Sequence, residues 1–198
     1  TDEIGIFEMH QYGLAPAKEP SALFLSADGE DAGGTAVFAA MEGSRPVLAE
    51  VQALVANSAY GTPRRSVIGW DSGRLAMLLA VLEARCGVTV AGRDVYLSVA
   101  GGYRITEPAG DLAAAAALLS SLSDTALPAK SVFFGEIALS GAVRPVARMD
   151  HRLKEAERLG FEHAFVPDGG PAAVDGLTIT PIRRLADLVD RLAPETVE

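Results

Sequence analysis

The sequence predicts an α+β fold, helices packed on a mixed sheet, and two observations carry that prediction. Strand-like segments crowd the first third of the chain, and helical and strand-like segments alternate through the rest. With 198 residues, 49% of them hydrophobic, the chain can bury a sizeable core as one compact domain without staples.

The elements follow from local patterns. Residues 4–10 and 22–26 alternate like short strands, with Pro16 and Pro20 between them, and Gly29 to Gly34 reads as a polar turn. Residues 35–42 and 46–55 form two more strands joined at Gly43-Ser44, a hairpin, so the first third is expected to be an antiparallel sheet. After Gly61-Thr62-Pro63 comes a basic strand, 64–69. Leu75, Leu78, Leu79 and Leu82 then recur at helical spacing between Asp71, an N-cap, and Gly87, a C-terminal stop. Residues 94–100 alternate as a strand, and Asp111 to Ser123 returns to helical spacing with five alanines at 113–117, which favour helix and close packing. A strand over 132–139, a helix over Met149–Leu159, a short strand over His163–Val166 and a last helix over Arg183–Leu192 complete the expected order. Met9, Met41 and Met77 read as core, and Trp70 and Tyr103 as partly buried packing residues with base stacking as the alternative.

Composition narrows the function classes. No run approaches the ~18 apolar residues of a membrane span and no basic-then-apolar leader is present, so a cytoplasmic protein with no membrane partner is expected. The single cysteine, Cys86, excludes an internal disulfide and any cysteine-rich zinc site. The chain starts without methionine at what reads as a strand edge, which suggests a piece of a longer protein. A net charge of −9 opposes nucleic-acid binding except through local basic patches. Fourteen arginines against three lysines suit phosphate contacts, although GC-rich codon usage explains the same bias.

The usual chemical motifs are absent. No glycine-rich loop closes on Lys and Ser or Thr, and Gly101-Gly102-Tyr103-Arg104 reads as a tight turn. His10, His151 and His163 are scattered over three elements, so no metal site is expected. Ser120, Ser121 and Ser123 sit on one helix upstream of Lys130 and Lys154, but both lysines fall in polar surroundings unsuited to a catalytic base.

Gly135-Glu-Ile-Ala-Leu-Ser-Gly-Ala-Val-Arg-Pro-Val146, then a charged helix, Gly160-Phe161 and a strand ending in Val166-Pro167, resembles the Lon protease domain family. Proteolytic members carry a lysine where Ala147-Arg148-Met149-Asp150 places Asp150, and a serine where Gly110-Asp111-Leu112-Ala113-Ala114 places Leu112. The resemblance thus implies a Lon-protease-like (ribosomal protein S5 domain 2-like) fold without the Ser-Lys dyad. Together with Glu3-Ile-Gly-Ile-Phe-Glu-Met9, Pro20-Ser-Ala-Leu-Phe-Leu-Ser26, Glu42-Gly-Ser-Arg-Pro46, Val51-Gln-Ala-Leu-Val55, Pro63-Arg-Arg65 and Thr106-Glu107, the chain resembles the RadA/Sms family to about residue 192. That resemblance implies one domain over 1–192, a tail over 193–198, and an upstream zinc finger and RecA-like ATPase core holding Zn, Mg and ATP. It further implies a homo-hexameric ring motor that drives branch migration on DNA in recombination and repair, with the recombinase RecA as a possible partner. This domain would then be an enzymatically silent scaffold and DNA-contacting surface, without a cofactor of its own.

Arg64, Arg65 and Arg74 are the DNA-contact candidates. Arg74 in the first helical turn opposes the macrodipole unless an anion sits beside it, and ion pairing with Asp71 and neighbouring acids is the competing reading. Arg144, Arg148, Arg152 and Arg158 interleave with Asp150, Glu155 and Glu157 and read as a solvated helix face. Two alternatives of other classes stay open: a Lon-like peptidase with a displaced nucleophile such as Ser72 or Ser120, and a pure oligomerisation module.

Overall fold

The computed structural model describes residues 5–17, 21, 24–25, 33–59, 61–171 and 174–192. An N-terminal hairpin, β1 (Phe7–His10) and β2 (Gly13–Pro16), stands apart from the main sheet. The main sheet is built from β3 (Thr35–Glu42), β4 (Arg45–Asn57), β5 (Arg65–Ile68), β6 (Arg93–Val99), β7 (Ser131–Phe133), β10 (His163–Pro167) and β11 (Thr178–Ile182), in the order β11-β10-β7-β3-β4-β6-β5. The short strands β8 (Glu136–Ile137) and β9 (Val143–Arg144) pair with each other. Among the described residues four α-helices complete the fold: α1 (Ser72–Cys86), α2 (Asp111–Ser123), α3 (Met149–Arg158) and α4 (Leu185–Leu192). The architecture is α+β, as the sequence predicts, and the strands of the first third pair antiparallel, β1 with β2 and β3 with β4, but in two separate sheets. In the main sheet β3, β4 and β6 form an antiparallel centre that β7, β10, β11 and β5 extend in parallel pairs.

The helices form where their caps allow. Asp71 accepts a hydrogen bond from the Arg74 amide at 2.7 Å, and Gly87 closes α1 in the left-handed region at φ 69°. Helix α2 is buried on every side from Asp111 to Ser120, so its alanines are not a stripe but the means by which strands and helices approach a central rod. At its far end Ser120 is buried, accepting from the Gly34 amide at 2.8 Å and donating to the Thr125 carbonyl at 2.5 Å, and Ser121 accepts from the Val55 amide at 2.9 Å. Helix α4 begins at Leu185 rather than 183 because Asp187 reaches back to the amides of Arg183 and Arg184, at 3.1 and 2.9 Å.

Two strand expectations change. The run 132–139 breaks after Phe133, because the Gly135 amide donates to the Ala109 carbonyl at 2.8 Å and its carbonyl accepts from the Leu112 amide at 3.1 Å. The chain thereby leaves the sheet to tie down the start of α2. The strand expected over 22–26 falls largely outside the described residues. Of its surroundings, the Ser21 hydroxyl and Phe24 carbonyl accept from the Leu48 and Glu50 amides, where β4 runs on beyond its pairing with β6. Strand β4 is buried on both faces over Val47–Val51 and alternates afterwards, so the β4-β6-β5 end of the sheet exposes Leu54, Ile68 and Tyr96. Among the described residues no helix is long and apolar enough to cross a membrane.

Candidate functional site

The two positions that the resemblance sets against the Lon dyad, Leu112 and Asp150, lie in very different surroundings. Leu112, in the first turn of α2, is fully buried, whereas Asp150 is exposed at the start of α3 with His151 Nδ1 at 3.1 Å. That hydrogen bond from His151 holds the Asp150 carboxyl below the usual carboxylate range. What joins the two segments is an ion pair. Glu107, just before the turn Pro108–Gly110 that leads into α2, binds Arg152 of α3 through both carboxylate oxygens, at 3.0 and 2.5 Å. Arg152 also donates through Nε to the Ala147 carbonyl at 3.1 Å and through Nη1 to the Ala39 carbonyl, while its guanidinium lies 5.8 and 5.7 Å from the ring centres of Phe38 and Phe134. The Met41 amide donates to the same Glu107 at 2.9 Å.

Arg152 is therefore no member of a solvated face. It is 1% exposed, the largest fully buried side chain in the fold. The expectation fails at this position because helical spacing places Arg152 with Met149, Leu153 and Ala156 on the inward side of α3, and a guanidinium can be buried there only with its donors filled. Arg158 does behave as expected, paired with Glu155 on the surface. Arg148 starts α3 in the left-handed region at φ 58° and donates to the Gly43 carbonyl.

The displaced-nucleophile candidates fare differently. Ser120 has its hydroxyl committed to the backbone bonds above, while Ser72 is exposed as the first residue of α1. Lys130 pairs with Glu162 in solvent and Lys154 is exposed on α3, so neither is placed as a desolvated base.

A second site opens where β5 meets α1. Val67, Ile68, Gly69, Trp70, Asp71, Arg74, Arg104, Ile105 and Thr106 line an open cleft of about 670 Å³. The Ile105 amide bonds the Gly69 carbonyl at 2.9 Å, which draws the segment after β6 against the end of β5. A side chain at Gly69, which sits at φ 77°, would strike the Tyr103 carbonyl. Arg74 meets the anion that its place in the first turn calls for, and the anion is Asp111 rather than Asp71. Nε donates to Asp111 Oδ1 at 2.8 Å and Nη2 to Oδ2, while the Ile137 amide donates to Oδ2 at 2.9 Å. Asp111 has no exposed surface and the Arg74 side chain is 29% exposed. Burial pushes the Asp111 carboxyl above its ordinary range against the pull of Arg74 and Ile137, and the hydrogen bond to Asp111 raises the Arg74 guanidinium. Arg104, also in the lining, is exposed, and the buried Trp70 Nε1 has no hydrogen-bond partner among the described residues. Trp70 and Tyr103 are partly buried packing residues as expected; the Tyr103 hydroxyl donates to Glu42 Oε1 at 2.7 Å.

Arg64 and Arg65 are not gathered with Arg74. They stand at the start of β5 and do not line the cleft; two strand steps, about 7 Å, separate Arg65 from Val67, the nearest lining residue along the strand. The Arg64 amide donates to Asp94 Oδ1 at 2.8 Å, which helps hold that carboxyl low. The Arg65 guanidinium donates to the carbonyls of Arg64, Arg93 and Val90. Sequence reasoning missed Arg104, dismissed with its tight turn, and the partners Glu107 and Asp111. Their signal was a charged residue on each side of an apolar run, which acquires meaning only when the pairing is known.

Fold and site together define an α+β domain with an open cleft at the start of α1, lined by Asp71, Arg74 and Arg104, and a buried arginine–glutamate pair that ties α3 to the turn before α2. The family profile described as "Subunit ChlI of Mg-chelatase" matches residues 78–170. The chain is 60% identical over 98% of its length to the DNA repair protein RadA of Brucella abortus, covering 42% of that protein. It is 47% identical to the RadA of Synechocystis (93% of this chain, 37% of the relative) and 44% identical to that of Aquifex aeolicus (97% and 43%). The chain belongs to the RadA family and matches a C-terminal part of its members, spanning less than half their length.

Proposed function

We propose that this chain is the proteolytically silent, Lon-like scaffold and DNA-contacting domain of an ATP-dependent hexameric motor that migrates DNA branches in repair and recombination in the cytoplasm. The kinship with DNA repair proteins supports the process. The observation that carries DNA contact is the cleft in which Arg74 and Arg104 face one opening beside Trp70. Arg104 is exposed there, and Arg74, although Asp111 holds its Nε and Nη2, keeps part of its side chain at the surface; guanidinium groups suit a phosphodiester backbone, and local positive charge is what an otherwise acidic chain needs to hold it. Arg64 and Arg65 form a flanking contact along the same edge strand. Six copies in a homo-hexameric ring would turn weak contacts into firm binding. ATP, Mg and Zn belong to the preceding domains of the parent, and RecA is a candidate partner there. The Glu107–Arg152 clamp supports the silent role, since it fixes the segments that a dyad would have to join.

The test is Arg104→Ala, and separately Arg64→Ala with Arg65→Ala, in the full-length parent. DNA affinity at two salt concentrations is measured beside ATPase rate and ring size. Weaker binding with a shallower salt dependence and an intact ring is expected. Unchanged affinity per intact ring in both variants would leave a pure oligomerisation module.

A further inference from the structure

The hairpin β1–β2 is built inside out. Its register pairs Phe7 with Pro16 and Met9 with Leu14, so these four apolar residues share one face, while Glu8, His10, Gly13 and Ala15 share the other. The apolar face is the one turned to solvent: Phe7 is 56%, Met9 75% and Leu14 66% exposed. Glu8 and Ala15, on the polar face, are the more covered, and His10 pairs with Glu8 there at 3.4 Å. The expectation that Met9 is core therefore fails in this chain. Two strands alone are marginal in water, and among the described residues neither of these pairs with a further strand. A contiguous apolar face of this kind marks a surface that something covers.

We infer that the cover is the part of the parent polypeptide that precedes this domain, so that the hairpin belongs structurally to that part and docks the two together. The relatives carry more than half their length outside the matched region, which is a C-terminal part of them, and the hairpin lies at the end of this chain nearest that length. A covalently joined neighbour is present at far higher effective concentration than a second copy. The inference rests on the reading of the chain as part of a longer motor protein, but not on DNA contact.

The experiment follows hydrogen exchange of the Phe7–Pro16 amides in this chain, which has a closed core of its own, and in the full-length parent. Covering two large apolar side chains should slow their exchange at least about tenfold in the parent, while they exchange freely in this chain at any concentration. Met9→Glu with Leu14→Glu should lower the melting temperature of the parent and leave that of this chain unchanged. Protection that appears in this chain alone as its concentration rises would give the face to a second copy. Unprotected amides in the parent, or equal loss of stability in both proteins, would overturn the inference. DNA affinity, read on the same samples, tests the functional reading separately.

Discussion

Two arginine–carboxylate pairs hold this domain, and they are buried the opposite way round. In the Glu107–Arg152 pair the cation is sealed and the carboxylate side chain is 27% exposed; in Arg74–Asp111 the carboxylate is sealed and the cation reaches the surface. Every nitrogen of Arg152 donates to a protein acceptor and the side chain is buried, which closes it to a ligand. Arg74 spends Nε and Nη2 on Asp111 and still lines an open cleft. Identical chemistry thus gives a clamp in one region and a poised surface in the other, and which partner is desolvated decides between them.

The comparison breaks first at the clamp. Arg152→Met should cost about 4 kcal/mol, because Glu107 loses its counter-ion and the buried Ala39 carbonyl loses its donor. Denaturant unfolding measures it. Adding Glu107→Leu should recover part of the loss, since removing both charges is cheaper than removing one. A double variant no more stable than the single one would mean that Glu107 matters chiefly for its bond to the Met41 amide.

Arg74→Ala should cost less, about 2–3 kcal/mol at neutral pH, because the stranded Asp111 can take up a proton. The sign of its pH dependence follows from burial. Asp111 already titrates above its unfolded value in the native state, and losing Arg74 moves it higher. A raised folded pKa stabilises below the ordinary carboxylate value and is lost as pH rises through the raised one. The deficit of the variant should therefore be small near pH 4 and grow toward pH 8. A deficit independent of pH would show that Asp111 stays ionised without Arg74.

Arg65→Ala removes an exposed bond to the Arg93 carbonyl and a long, part-buried one to the Val90 carbonyl and should cost under about 1 kcal/mol. Smallest of all is Arg104→Ala, expected within about 0.5 kcal/mol of the parent in stability. This exposed residue makes the sharpest contrast with Arg152, for its loss should register in ligand binding and hardly in unfolding. A clear fall in stability would show that Arg104, like Arg152, is spent on the fold.

By itself the sequence determined the α+β class, the β3–β4 hairpin, and helices α1 and α2 with their ends. These follow from periodicity, caps and turn residues, all of which act over a few neighbours. Tertiary structure alone decided what each charge does. Arg152 looked solvated because acids flank it along the helix, yet its partner lies 45 residues away; Arg74 looked costly until Asp111, 37 residues on, supplied the anion. The break at Gly135 likewise depends on Ala109 and Leu112, and the exposure of Met9 on the separation of its hairpin from the main sheet. A side chain's type and spacing say which face of an element it occupies. Whether that face meets water, a counter-ion or another strand is set by long-range pairing, to which local pattern is blind.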